Sequence, residues 1–338
     1  MKKLTTLLFL GLITIIAFSC SNDDASVTPV PPITNNTLNT GDLKLFVIDT
    51  AKVKTITMTG TNEITILNRK VNSNSYIGEF SVNTDASKFV YVDNQGAFTN
   101  GAFVGAKTIR VANANGSGDV NIYTAPSNTS TVSNDIGFVK FGMSKIYFLT
   151  TKQTISGGFI NTVSSLNASN FDGSNLVTLS GSSFGSDITS DGRFLIQKGT
   201  STPPNSTTGI TIIDRNGDNG AGSLYNLETL PASVINSSEP IFSYDDKFSY
   251  YAFVENQMLK VKIFNMTTKI WESKTIATNF TSTTFAMSMS VGSDNNRGVV
   301  TVQTSNNMPS KSYIFNLTSG SSTNFNNNDE DVFQIKAF

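Results

Sequence analysis

The chain has 338 residues, and its 24 Lys and Arg against 25 Asp and Glu leave a net charge of −1. Only 14% of residues are charged, against about 25% in an average globular chain. No basic stripe is available to follow a phosphate backbone, which argues against nucleic acid. Histidine is absent from every position, so Ser-His-Asp and Cys-His nucleophile systems, imidazole general bases and His metal ligands are all excluded.

Met1-Lys2-Lys3 leads into a mostly apolar run from Leu4 to Ala17 and then Phe18-Ser19-Cys20, the charged, apolar and small-residue order of a secretory signal. A run of about fourteen residues is short of the roughly 20 that cross a bilayer. Residues 1–19 are therefore expected to be removed. The cleavage side resembles the bacterial lipobox, and that resemblance implies a lipid-anchored protein, acylated on Cys20 and cut just before it. More than one acyl chain, as the resemblance implies, suffices for stable anchoring. Cys20 is the only cysteine, so the fold can hold no intramolecular disulfide and must be stabilised by its core.

Ser21-Asn22-Asp23-Asp24 resembles the acidic export signal that sends lipoproteins of the Bacteroidetes to the outer face of the outer membrane; read without it, the segment is a solvated polar tether. Residues 26–41 are rich in Thr, Pro and Asn, and Val30-Pro31-Pro32 disfavours helix. Residues 20–41 are accordingly an extended spacer, and the folded domain is expected over 42–338. Just inside it, Asp49-Thr50-Ala51 resembles the Asp-(Ser/Thr)-apolar acceptor of Bacteroidetes O-glycosylation, which marks Thr50 as a candidate.

Beyond the spacer, helical periodicity is almost absent, and short β-branched and aromatic runs alternate with Gly, Asn, Asp and Ser clusters, an all-β pattern. Runs such as 43–48, 88–92, 145–149, 193–196 and 248–253 have strand length. One unit recurs about every fifty residues. Its first marker is a polar turn before an aromatic strand: Asn83 to Lys88, Gly142 to Lys145, Thr189 to Arg193, Ser243 to Lys247 and Gly292 to Arg297. Its second is a strand followed by an Asn or Asp turn, as at 111–116, 166–176, 212–217, 263–268 and 314–318, the outer hairpin of a four-stranded blade.

Units of this size predict a β-propeller. The segments Ile188 to Ile196 and Phe242 to Phe253 resemble the TolB-type repeat, with its Ser-x-Asp-Gly-(Lys/Arg) turn, which Thr189-Ser190-Asp191-Gly192-Arg193 matches best; Gly142 to Lys145 departs from it in lacking the Asp-Gly pair. Five markers plus strands over 43–70 predict six blades, with seven as the variant. The segment around 332–338 is the candidate for closing the ring against the N-terminal strands. The competing fold is a pair of β-sandwiches, but the repeat continues from about residue 80 to 320 with no linker.

Candidate chemistry is sparse. Asp214-Arg215-Asn216-Gly217-Asp218 resembles the start of a calcium loop, with Asp214, Asn216 and Asp218 as oxygen ligands. The pattern then lapses at Asn219 and Tyr225, and the competing reading is a Gly/Asn hairpin turn. Asp172-Gly173 and Asp191-Gly192 fit tight-turn chemistry. Tyr244, Tyr250, Tyr251 and Trp271 could stack on sugar rings, although alternation sends about half of a strand's side chains into the blade interfaces. No cofactor other than Ca2+ is suggested. The expected role is non-enzymatic binding at the cell envelope, propeller loops engaging a protein, glycan or small nutrient; the alternatives are a scaffold of an envelope complex and a glycan-active enzyme using paired carboxylates.

Overall fold

The computed structural model describes residues 44–57, 62–71, 74–99, 102–181, 185–200, 208–216, 222–230, 234–278, 280, 286–303, 311–325 and 332–337. Residues 1–43, with Cys20 and the segments expected to be signal and spacer, lie outside the described residues. The described chain is all-β and forms six antiparallel blades.

Blade 1 contains β1 (Lys44–Asp49), β2 (Lys52–Thr57) and β3 (Ile64–Asn68). Blade 2 is β4 (Tyr76–Val82), β5 (Lys88–Thr99), β6 (Ala102–Asn113) and β7 (Val120–Thr124), and blade 3 is β8 (Val132–Phe141), β9 (Ile146–Ser156), β10 (Phe159–Ser169) and β11 (Val177–Gly181). Blade 4 follows with β12 (Asp187–Ile188), β13 (Phe194–Thr200), β14 (Thr208–Asp214) and β15 (Ser223–Thr229). In blade 5 the first strand is split into β16 (Val234–Ser237) and β17 (Ile241–Phe242), both paired with β18 (Phe248–Glu255), before β19 (Met258–Asn265) and β20 (Trp271–Ala277). Pro240, which has no N–H to give to a ladder, lies at the break. Blade 6 is β21 (Ala286–Val291), β22 (Arg297–Gln303), β23 (Lys311–Asn316) and β24 (Ser321–Phe325).

The last strand, β25 (Val332–Ala337), pairs antiparallel with β1, Leu45 opposite Ala337, and supplies the first strand of blade 1. The two ends of the domain thus share one blade and close the ring. This explains five turn markers for six blades: every other blade has a turn between its first and second strands, whereas in blade 1 that place is taken by the end of β25 and the start of β1.

Strand direction sorts the connections onto two faces. The turns between first and second strands, and between third and fourth, lie on one face, together with the start of β1. The hairpins between second and third strands lie on the other.

The core is stacked between blades. Phe46, Ile48 and Val53 of blade 1 meet Phe80, Phe89 and Tyr91 of blade 2, with Phe80 and Phe89 ring centroids 5.2 Å apart. Corresponding clusters join blades 2 and 3, 3 and 4, 4 and 5, and 5 and 6. Each buried aromatic or aliphatic side chain contributes about 1.5–3 kcal/mol, so side-by-side blades replace the disulfides this chain lacks.

Four of the five turn markers have a common geometry, Gly142 to Lys145 in blade 3 being the exception. Asp85, Asp191, Asp245 and Asp294 each accept the N–H two residues later, at 2.9, 2.9, 3.2 and 3.0 Å. The residue after each is left-handed: Ala86 (φ 53°), Gly192 (75°), Asp246 (59°) and Asn295 (55°). Asx-turn hydrogen bonding and tolerance of positive φ account for the Asp-Gly pattern. Asp172-Gly173 repeats it in an outer turn, where Ser174 N–H donates to Asp172 and Gly173 has φ 82°.

Candidate functional site

A cleft of about 360 Å³ opens on the turn-marker face between blades 4 and 5, lined by Thr189, Asp191, Arg193, Phe194, Tyr225, Asp246, Lys247, Met266 and Thr267. The two first-to-second-strand turns supply its charged groups, and the strands just beneath supply its aromatic wall. Phe194 and Tyr225 have ring centroids 4.7 Å apart, and the Tyr225 hydroxyl is fixed by donating to the Met266 carbonyl at 2.6 Å.

Cations stand over both rings. The Arg193 guanidinium lies 4.7 Å from the Phe194 centroid and the Lys269 ammonium 4.2 Å from that of Tyr225. Arg193 also pairs with Asp214 at 2.7 Å, and this hydrogen bonding holds the Asp214 carboxyl below the usual carboxylate range. Lys247 pairs with Asp245 at 3.0 Å while its side chain is 69% exposed, so in water the pair is worth about 0–1 kcal/mol and is easily exchanged for another partner.

Two carboxylates border the cleft and invite an acid/base reading. Asp246 is the one pushed up, by burial. Its Oδ2 accepts from the Ser190 N–H at 2.8 Å and from the Ser190 hydroxyl, and its Oδ1 is buried against protein with no hydrogen-bond partner. Neither oxygen is presented to a glycosidic bond. Asp191 is likewise occupied on Oδ1, by the Thr189 hydroxyl at 2.6 Å and the Arg193 N–H. The pair is turn architecture, and Asp246 is the stitch that ties the blade 5 turn to the blade 4 turn.

A second polar belt runs along the first strands. Lys140 on β8 pairs with Asp187 on β12 at 2.9 Å, and Asp187 Oδ2 also accepts the Phe242 N–H of β17, so three blades share one carboxylate.

No protein-family model and no curated protein matches the chain. Among solved structures it is similar to TolB from Acinetobacter baumannii, with 14% identity and a TM-score of 0.56 over 88% of this chain and 67% of that one. It is also similar to a chain of a nidogen/laminin complex, with 12% identity and a TM-score of 0.54 over 87% of this chain and 98% of that one. The fold is a TolB-like six-bladed β-propeller. At these identities the likeness is one of fold.

Within the TolB-like propeller the residues singled out from sequence fall as follows. Asp214 faces Arg193, and the Asn216 N–H donates to Asp214 Oδ1 at 3.0 Å; Asp218 lies outside the described residues, as does Cys20. Thr50 is the left-handed turn residue between β1 and β2, with φ 50°, and its carbonyl accepts the Ile77 N–H of blade 2.

The aromatic candidates are drawn inward. Tyr250 and Tyr251 are buried, and Trp271 packs on Phe264 with its indole N–H on Asn226. Tyr244 is half-buried, and burial pushes its phenol up. Phe194 in the cleft and Lys269 over the Tyr225 ring carry no motif. The sequence trace of the site is the basic residue that ends the turn markers, Arg193 and Lys247: Arg193 reaches the outer turn of its own blade at Asp214, as Lys88 does at Asn113, whereas Lys247 pairs with Asp245 in its own turn.

Proposed function

We propose that the protein is a lipid-anchored lipoprotein of the outer membrane, displayed on the cell surface, whose propeller binds a protein partner without catalysing a reaction. The observation that carries the binding role is the cleft between blades 4 and 5. It combines an aromatic wall of Phe194 and Tyr225 with an exchangeable cation, Lys247, and a second cation, Lys269, over the Tyr225 ring. Aromatic anchors ringed by polar groups are what protein recognition uses. The engagement of its carboxylates in turn hydrogen bonds speaks against the glycan-active alternative, and its open mouth favours a loop or peptide over an enclosed nutrient.

Anchoring rests on the lipobox-like segment before Cys20, and the spacer of residues 20–41 would hold the ring away from the lipid. Replacing Cys20 with Ser is expected to move the protein from the membrane to the soluble fraction; continued sedimentation with membranes would remove the anchor from the proposal. Protease shaving of intact cells tests display, with release expected from whole cells.

The test of binding is an affinity pull-down from detergent-solubilised native membranes with the tagged, lipidated chain, compared with Lys247→Glu/Lys269→Glu. An envelope protein should elute with the first and be lost with the second. Recovery of a small molecule alone would replace the protein partner by nutrient capture, and an eluate unchanged by the substitutions would take the cleft out of the interface.

A further inference from the structure

Blade 3 carries an arm that the propeller core does not need. β9 and β10 pair over eleven residues each, from Ile146↔Ser169 out to Ser156↔Phe159. β11, however, covers the outer side of β10 only from Ser165 to Ala168. Among the described residues nothing pairs with the outer side of residues 159–163. This stretch is open on its faces as well: Phe159 is 80% exposed, Ile160 66% and Val163 44%.

The hairpin turn fixes which backbone groups face outward. Gly157 (φ 59°) and Gly158 (φ 82°) form a two-residue turn, so Ser156 and Phe159 are a hydrogen-bonded pair and the alternation continues from there. Phe159, Asn161 and Val163 therefore point their N–H and C=O groups toward β9, and those of Ile160 and Thr162 point outward, with no partner strand among the described residues. Edges in natural proteins are normally blunted by a charge, a proline or a bulge. The run Phe159-Ile160-Asn161-Thr162-Val163-Ser164-Ser165-Leu166-Asn167-Ala168-Ser169 contains no charged residue and no proline.

We propose that this edge pairs with the same edge of a second copy, antiparallel, about a two-fold axis through Asn161. A strand edge turned on itself by a two-fold is an isologous contact, and this one is self-complementary residue by residue. Ile160 faces Thr162 of the other copy, and the two exchange both backbone hydrogen bonds, twice across the axis. On one face of the joint sheet Phe159 stands opposite Val163 of the other copy, an aromatic to β-branched pair of the kind that stabilises sheets, again twice, with the two Asn161 amides between them. No charge meets its own kind across the axis. The arm lies on the face opposite the turn markers, so the contact leaves the cleft between blades 4 and 5 free.

The test is disulfide trapping of the full chain in membranes. Asn161 meets its own copy as a non-hydrogen-bonded pair with Cα atoms about 4.5 Å apart, inside the range a disulfide spans. Under mild oxidation Asn161→Cys should convert most of the protein to a dimer. Met143→Cys, exposed on the opposite face, should give at least tenfold less, with Cys20 common to both. Adding Thr162→Pro, which removes one outward N–H, or Val163→Lys, which puts a charge opposite Phe159, should abolish trapping by Asn161→Cys. Trapping no stronger than for Met143→Cys would overturn the proposal, as would a cross-linked product whose mass shows a different protein on the edge.

Discussion

Gly192 lies against the ring of Tyr147 from the preceding blade: a Cβ built on Gly192 would stand 2.6 Å from the Tyr147 hydroxyl oxygen. The same glycine has φ +75°, so the left-handed turn and the close approach of blade 3 both require the missing side chain. Gly192→Ala should cost about 1–2 kcal/mol for the backbone and about 1–3 kcal/mol for overpacking. Urea unfolding should show a loss of roughly 2–5 kcal/mol, and a loss below about 0.5 kcal/mol would mean that the turn relaxes freely.

Buried and exposed ion pairs should behave very differently in this propeller. Asp93, 1% exposed, holds Arg69 at 2.7 Å across the boundary of blades 1 and 2, with its other oxygen on the Gln95 amide. Removing the carboxylate leaves a partly buried guanidinium with only Asp119 at 3.5 Å, so Asp93→Ala is expected to cost about 3–5 kcal/mol. Glu272 and Lys274 are 3.9 Å apart and open to water, and Glu272→Ala should stay within about 1 kcal/mol of the parent. Equal losses for the two variants would contradict the assignment of Asp93 as the inter-blade tie.

The difference between what could and could not be read from the sequence is local against relational. Turn markers were legible because an Asx turn and a left-handed residue are decided within five residues, as at Thr189 to Arg193. The blade count followed from their repetition, together with closure by the last strand. Asp187 shows the limit: its partners, Lys140 and the Phe242 N–H, lie 47 and 55 residues away, and no pattern at position 187 announces them. Tyr250 and Tyr251 looked like candidate platforms because sequence shows that a residue is aromatic, not which blade covers it. The arm of blade 3 leaves no signal in the sequence, because exposure, not composition, sets Phe159 apart from the buried Phe148.

Calcium is expected to have no effect on folding. Both oxygens of Asp214 accept from the Arg193 guanidinium, at 2.7–3.2 Å, and a cation there would have to break that pairing before gaining a ligand. Melting in millimolar calcium and in chelator should give the same Tm. A calcium-dependent rise abolished by Asp214→Asn together with Asp218→Asn would overturn this expectation and establish the loop as a metal site.

Asp246 should make stability depend on pH in a direction opposite to turn carboxylates such as Asp172 and Asp294, which are held low. Asp172 is held low by the hydroxyl and N–H of Ser174, so what it contributes is present above the unfolded pKa and lost as pH falls through its folded value. Asp246 is raised above 3.8 by burial, so its charged form is disfavoured in the native state. That penalty is full above the raised folded value and vanishes as pH falls to 3.8. Asp246→Asn keeps an acceptor for Ser190 and a residue type that tolerates positive φ, as Asn295 does in blade 6. It should therefore raise Tm at pH 8, and the gain should shrink as pH approaches 4, other carboxylates cancelling in the comparison. Ser190→Ala should act the other way, leaving Asp246 Oδ2 without the hydroxyl at a cost of about 1–3 kcal/mol. Thermal melts of the three proteins from pH 4 to 8 separate the effects, and a pH-independent difference between Asp246→Asn and the parent would show that Asp246 does not titrate in that interval.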